Sequence, residues 1–241
     1  MNPNPYIVLT LAFAGLIHAG FSLGTSMLVL LSGHSLSRKR SHARLISLAG
    51  GFVMGALLMI LLLLSTLTYF GLLVNAWAYP IIILALSSLT ALSGLWVLFF
   101  YYRRGDGTAL WLPRGFARYL TERTAHTKNP FESFVLGAAS ILFELPVTIW
   151  LLATVAVMLG SQGPRFQAAG LAGYSILSVL ALFLIFVLIG GGHTPASITR
   201  FRARHKRFLQ VIVGLSLLLI GGALFVDHLD TVMAAHGVIL W

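Results

Sequence analysis

The chain has 241 residues, of which 58% are hydrophobic and only 9% charged, with a formal net charge of +10 and a mean hydropathy of +0.93. Soluble domains carry about 25% charged residues, so this chain cannot cover a water-exposed surface and reads as an all-α polytopic membrane protein. Cysteine is absent, which excludes disulfides, thiolate metal sites and thiol-relay chemistry.

"MNPNPY" has no basic residue before its apolar run, so a cleaved secretory signal is not expected. Six apolar segments follow, at 6–32, 46–70, 79–101, 133–159, 170–191 and 208–226. Each is long enough to cross a bilayer at roughly 20 residues per span. The connections alternate in charge. Arg38, Lys39, Arg40 and Arg44 lie in 33–45, and 71–78 is uncharged. Arg103, Arg104, Arg114, Arg118, Arg123 and Lys128 lie in 102–132, and only Arg165 lies in 160–169. Arg200, Arg202, Arg204, Lys206 and Arg207 lie in 192–207, and the tail after 226 holds no Lys or Arg. Fifteen of the sixteen basic residues therefore share one side. The positive-inside rule makes that side cytoplasmic, with both termini outside. The basic charge then belongs at lipid headgroups, and no nucleic-acid partner is expected.

In the first span His18, Ser22 and Ser26 recur at helical spacing, with Thr25 beside them. In the fourth span, within "ILFELPVTIW", Ser140, Glu144 and Thr148 recur in the same way. A shift of 122 residues superimposes the two triplets, and it also aligns Gly15 with Gly137, Phe21 with Phe143, Gly51 with Gly173 and Phe52 with Tyr174. A slightly larger shift sets Gly94 opposite Gly221. Three spans is an odd number, so two such halves enter the membrane in opposite directions. This predicts two inverted three-helix repeats, 1–101 and 133–241, joined by a cytoplasmic linker over 102–132. In secondary transporters of this kind the site lies near the midplane at weakened helices. Within the linker, Leu112, Phe116, Tyr119 and Leu120 predict a short interfacial amphipathic helix.

Glu144 and His18 both fall near mid-bilayer. A charge at that depth costs about 2.5–3.5 kcal/mol on insertion scales, and ionisable residues there are read as functional by default. Glu144 is therefore neutral, paired with His18, or facing a hydrated cavity. Pro146 removes a backbone donor next to it. The expected solute or ion path comprises Glu144, His18, Ser22, Thr25, Ser26, Ser140, Pro146 and Thr148. Single serines and threonines in membrane helices also serve plain packing. "GGGHTPAS" closes the fifth span, and His193, Thr194 and Pro195 form a candidate gate there, or simply a helix terminus. Asp227, His228, Asp230 and His236 fit no metal-binding spacing and read as a solvated tail. No metalloprotease, nucleophile-elbow or phosphate-loop motif occurs, so neither an enzyme nor a cofactor is expected.

"FAGLIHAGFSLGTSMLVLLSG", "FVLGAASILFELPVTIWLL" and "RFLQVIVGLSLLLIGGALF" resemble the LysE/DsbD-type (CcdA-like) transporter superfamily. The resemblance implies an inner-membrane exporter of a small polar or ionic solute, contacting membrane lipids and acting alone, as a homo-oligomer or with a membrane partner. CcdA-like members carry cysteines near Gly24–Thr25 and Leu145–Pro146, and this chain has none, so their electron-transfer activity is not implied. Nickel exporters of the group carry an early His/Asp cluster, which His18 does not match. A different class, a non-transporting subunit that scaffolds a larger membrane complex, also fits the composition.

Overall fold

The computed structural model describes residues 5–22, 42–74, 78–101, 129–191 and 195–235. They form α1 (Pro5–Ser22), α2 (His42–Leu72), α3 (Tyr79–Trp96) continued by a π-helical turn (Val97–Tyr101), α4 (Pro130–Gly160), α5 (Pro164–Ser178), α6 (Leu180–Gly190) and α7 (Pro195–Ala235). Five stretches are long and apolar enough to cross a membrane. The α5–α6 pair, bent by 50°, is apolar and long enough only when its two helices are taken together, and counted as one span it makes a sixth. Large apolar side chains cover the outside of the bundle, among them Leu58, Leu62, Phe99, Phe131, Phe208 and Leu219. A water-soluble monomer does not carry such a coat. The chain is a multi-pass membrane protein.

Local sequence sets the helix starts. Asn129 caps α4 by accepting a hydrogen bond from the Phe131 amide at 3.1 Å, and Pro130 follows in the first turn, where a missing N–H is harmless. Pro164 starts α5 in the same way. The fifth span, expected as one helix over 170–191, is instead broken at Val179. The ladder of α6 begins with the Phe183 amide on the Val179 carbonyl, at 2.9 Å. Next to the break, Ser178 Oγ donates to the Ser175 carbonyl at 2.8 Å. Back-bonding of this kind competes with the main-chain ladder and bends helices. The last helix overruns the expected span 208–226 at both ends. The basic stretch before it and Asp227, His228 and Asp230 after it are helical, not loop and tail.

Helix α4 is the hub, and its longest interface is with α2. A Cβ placed on Gly55 would fall on the Phe134 carbonyl, and one on Gly137 would fall on that of Phe52. Without side chains at these points the two backbones touch directly. Ser133 Oγ ties the seam by donating to the Leu48 carbonyl at 2.6 Å. Helix α7 packs along α3 through Gly94 and Gly221, and α1 packs on α5, α6, α4 and α7. The π turn that ends α3 is anchored by Gln210 of α7, whose Nε2 donates to the Val97 and Leu98 carbonyls, both at 2.8 Å. The two hydrogens of this one amide nitrogen thereby tie the π turn to α7.

Candidate functional site

Three helices meet around Glu144. Helix α1 supplies His18 and Ser22, α4 supplies Glu144, and α5 supplies Tyr174; all four are buried. Their helical register explains the meeting. His18 and Ser22 lie one turn apart on the buried face of α1, and the face of α4 that carries Ser140, Glu144 and Thr148 is buried against it.

Ser22 Oγ donates to Glu144 Oε2 at 3.1 Å. His18 Nε2 stands 3.7 Å from the same oxygen, which is close enough for an ion pair but beyond hydrogen-bond range. His18 Nε2 has no hydrogen-bond partner among the described residues. On its other edge, His18 Nδ1 lies 3.0 Å from Tyr174 Oη, and the two rings meet edge-on. The result is a continuous polar line from Tyr174 through His18 and Glu144 to Ser22, walled by the apolar core. A bare carboxylate in such surroundings would be prohibitively costly. A hydroxyl donor and a facing imidazole are the groups that make an acid tolerable there.

The other expected path residues divide. Ser140 and Thr148 are buried beside Glu144, and their hydroxyls bond to their own helix, to the Gly137 carbonyl at 2.7 Å and the Glu144 carbonyl at 3.0 Å. Pro146 lies on the exposed face of α4, turned away from Glu144, and the helix runs through it unbroken. Thr25, Ser26, His193, Thr194 and the predicted interfacial helix lie outside the described residues, and Pro195 is the first residue of α7.

Tyr174 is the member that sequence reasoning missed. The repeat shift sets it opposite Phe52 as an aromatic, but a lone phenol within an apolar helix carries its own polar signal. Near it, Ser175 Oγ is buried without a hydrogen-bond partner among the described residues, a few residues before the break at Val179. A groove of about 760 Å³ lies elsewhere, lined by Tyr6, Leu218, Leu219, Gly222, Ala223, Val226 and Asp227. It shares no residue with the quartet. Among the described residues no group of three or more metal-ligating side chains converges. Comparison with protein-family models, with curated proteins and with solved structures finds no match for the chain.

Proposed function

We propose that this protein is a secondary transporter of a bacterial inner membrane, exporting a small polar or ionic solute, with Glu144 as the coupling acid and His18 as its partner. One observation carries the reading: a buried glutamate, faced by a histidine and hydrogen-bonded by a serine, midway along α4 where α1, α4 and α5 meet. Membrane proteins place ionisable groups at such depth chiefly in ion, proton and substrate pathways. The resemblance to the LysE/DsbD-type superfamily points the same way. The charge distribution favours the basic connections on the cytoplasmic side and both termini outside.

The packing supports an inverted duplication, in which α1, α2 and α3 correspond to α4, the α5–α6 pair and α7. Helix α4 packs on α2 as α1 packs on α5. Helix α4 meets α3 as α1 meets α7, and α3 meets its own counterpart α7. Individual residues repeat the pattern. A Cβ on Gly137 would meet the Phe52 carbonyl, and one on Gly15 would meet the Tyr174 carbonyl at 3.4 Å. Both residues of one pair map onto the other pair by the same shift of 122. A Cβ on Gly94 would meet the Leu218 amide at 2.7 Å and the Gly214 carbonyl at 2.8 Å. One on Gly221 would meet the Ala91 amide at 2.5 Å and the Ser87 carbonyl at 2.7 Å. Leu218 and Gly214 stand three and seven residues before Gly221, as Ala91 and Ser87 stand before Gly94. A two-fold relation between the halves generates such reciprocity, and alternating access by rocking one half against the other follows from it.

The test is solute-driven current in proteoliposomes, screened over amino acids, organic ions and inorganic ions, for wild type and Glu144→Gln. The expected result is a pH-dependent flux that Glu144→Gln abolishes. Flux that survives with unchanged pH dependence would sink the coupling role. Absence of any flux, with Glu144→Gln disrupting assembly with a membrane partner, would favour the scaffold reading.

A further inference from the structure

The geometry of the quartet points to the coupling ion: we infer that it is a proton, held by the His18–Glu144 pair, with Tyr174 as the positioning residue that lets the pair exist in both protonation states. The inference takes its purpose from the transport reading above, but its chemistry rests on the quartet alone.

The titratable groups at this depth are few. Among the described residues, 45–68 of α2, 80–96 of α3, 180–190 of α6 and 208–226 of α7 include no acidic, basic, histidine or tyrosine residue. Helix α1 brings His18, α4 brings Glu144 and α5 brings Tyr174. Tyr6 and Tyr79 stand in the first turns of α1 and α3, and the exposed Asp227 and half-buried His228 lie within α7, past its apolar stretch. Among the described residues the proton balance of the site therefore involves three groups.

Two arrangements are chemically closed. With one proton fewer, Tyr174 O–H donates to His18 Nδ1. The imidazole is then neutral with its hydrogen on Nε2, aimed at the Glu144 carboxylate, and the site carries a net negative charge. Adding one proton makes Nδ1 a donor, and Tyr174 must turn its hydroxyl and accept. The imidazolium then faces the carboxylate and the site is neutral. If the new proton resides on Glu144 instead, Nε2 accepts it, Nδ1–H still donates to Tyr174, and the charge is the same. One proton enters, no other bond is made or broken, and the tyrosine hydroxyl reverses its role. A phenol can donate and accept. The 3.7 Å between Nε2 and Oε2 is a distance that a small side-chain rotation closes. Between Nε2 and Oε2 a sodium ion fits worse than a proton, because an Nε2–H directed at Oε2 occupies the place where it would sit.

The measurement is infrared difference spectroscopy of the full chain in lipid during pH steps, with Glu144→Gln identifying the Glu144 carbonyl-stretch band. In wild type a protonation change assigned to Glu144 and the imidazole should titrate as one proton and ignore sodium added at fixed pH. The phenol C–O stretch, identified by its loss in Tyr174→Phe, should shift in step with the Glu144 band as the hydroxyl changes from donor to acceptor. A tyrosine that only fills space would show no such shift. A wild-type protein with no pH-dependent Glu144 or imidazole signal would overturn the proposal, and so would a signal that sodium displaces. The absence of any pH-dependent carboxyl or imidazole band is read on the wild type alone. Solute flux persisting beside a silent Glu144 would remove this proposal and leave transport standing. A titrating quartet in a protein that moves no solute would support the proton site and remove the transport reading.

Discussion

Replacing Gly137 by alanine should cost more stability than the same change at a glycine with room around it. A Cβ at Gly137 would fall on the Phe52 carbonyl oxygen, 2.8 Å from the carbonyl carbon and 3.0 Å from Cα. All three are backbone atoms, so no side-chain rotation relieves the contact, and α2 and α4 must separate. Overpacking of a tight interior costs about 1–3 kcal/mol, and a backbone-to-backbone clash belongs at the upper end. Gly173 and Gly222 provide matched controls, since each is helical and a Cβ there would meet nothing within 4 Å. Glycine to alanine within a helix gains about 0.8–1.0 kcal/mol in propensity, and that gain is common to all three sites. It cancels in the comparison, leaving a deficit of about 1–3 kcal/mol for Gly137→Ala. Gly15→Ala should fall between, because its Cβ would meet Leu177 Cβ at 2.9 Å and the Tyr174 carbonyl at 3.4 Å. Reversible unfolding by steric trapping in bicelles gives these differences without extrapolation from detergent. Equal stabilities for Gly137→Ala and Gly173→Ala would refute the close α2–α4 seam, and with it the packing that holds α4 in register with α1.

Ser22→Ala removes the hydroxyl that donates to Glu144 Oε2 and should shift the frequency of the Glu144 carboxyl band in the same infrared spectra, because that stretch reports the hydrogen bonds the group accepts. Gln210→Leu leaves the Val97 and Leu98 carbonyls of the π turn without this donor and should destabilise by about 1–3 kcal/mol, read by steric trapping. Thr154→Val removes the 3.2 Å contact with Thr90 across α3 and α4. Both hydroxyls also bond to their own helices, so the loss should stay near 0.6 kcal/mol, typical of interhelical bonds in membranes. For orientation, the cysteine-free chain allows single-cysteine labelling: Arg40→Cys should react with an impermeant maleimide only from the cytoplasmic side, and Arg165→Cys only from the opposite side.

The membrane class and the five long apolar helices were legible because hydropathy integrates over about 20 residues and tolerates local error. So were the helix faces that carry His18, Ser22 and Glu144, since an i, i+4 spacing fixes a helix face wherever the helix ends. Breaks were not legible. Pro146 had the stronger signal, yet α4 runs through it on the exposed face. Neighbouring groups can re-satisfy a helix around a proline in a membrane. The actual break, at Val179, has neither proline nor glycine and follows two serines whose effect depends on where their hydroxyls point. The ends of α7 were misjudged for a related reason: hydropathy stops at the bilayer surface, whereas arginine, lysine and alanine continue a helix readily beyond it. Tyr174 and Gln210 were missed because their partners lie 156 and more than 110 residues away, and no local pattern encodes such pairings.

The contact between Ser22 and Glu144 takes on a further meaning if the halves are duplicates. The two residues are separated by 122, which is the repeat shift itself. In an object with two-fold symmetry, a position touches its own image only at the axis. Ser22 and Glu144 would then mark where that axis passes between α1 and α4. A glutamate at both positions would bring two carboxylates together in an apolar interior, and like charges so placed cannot both ionise. One acid and one hydroxyl instead give a donor and an acceptor that satisfy each other. The same asymmetry continues outward. His18 has Ser140 as its counterpart and Tyr174 has Phe52, so the groups that can hold a proton assemble on one side of the axis and the other side is left without them. On this reading the duplication supplies the frame, and the substitutions that broke its symmetry supply the site.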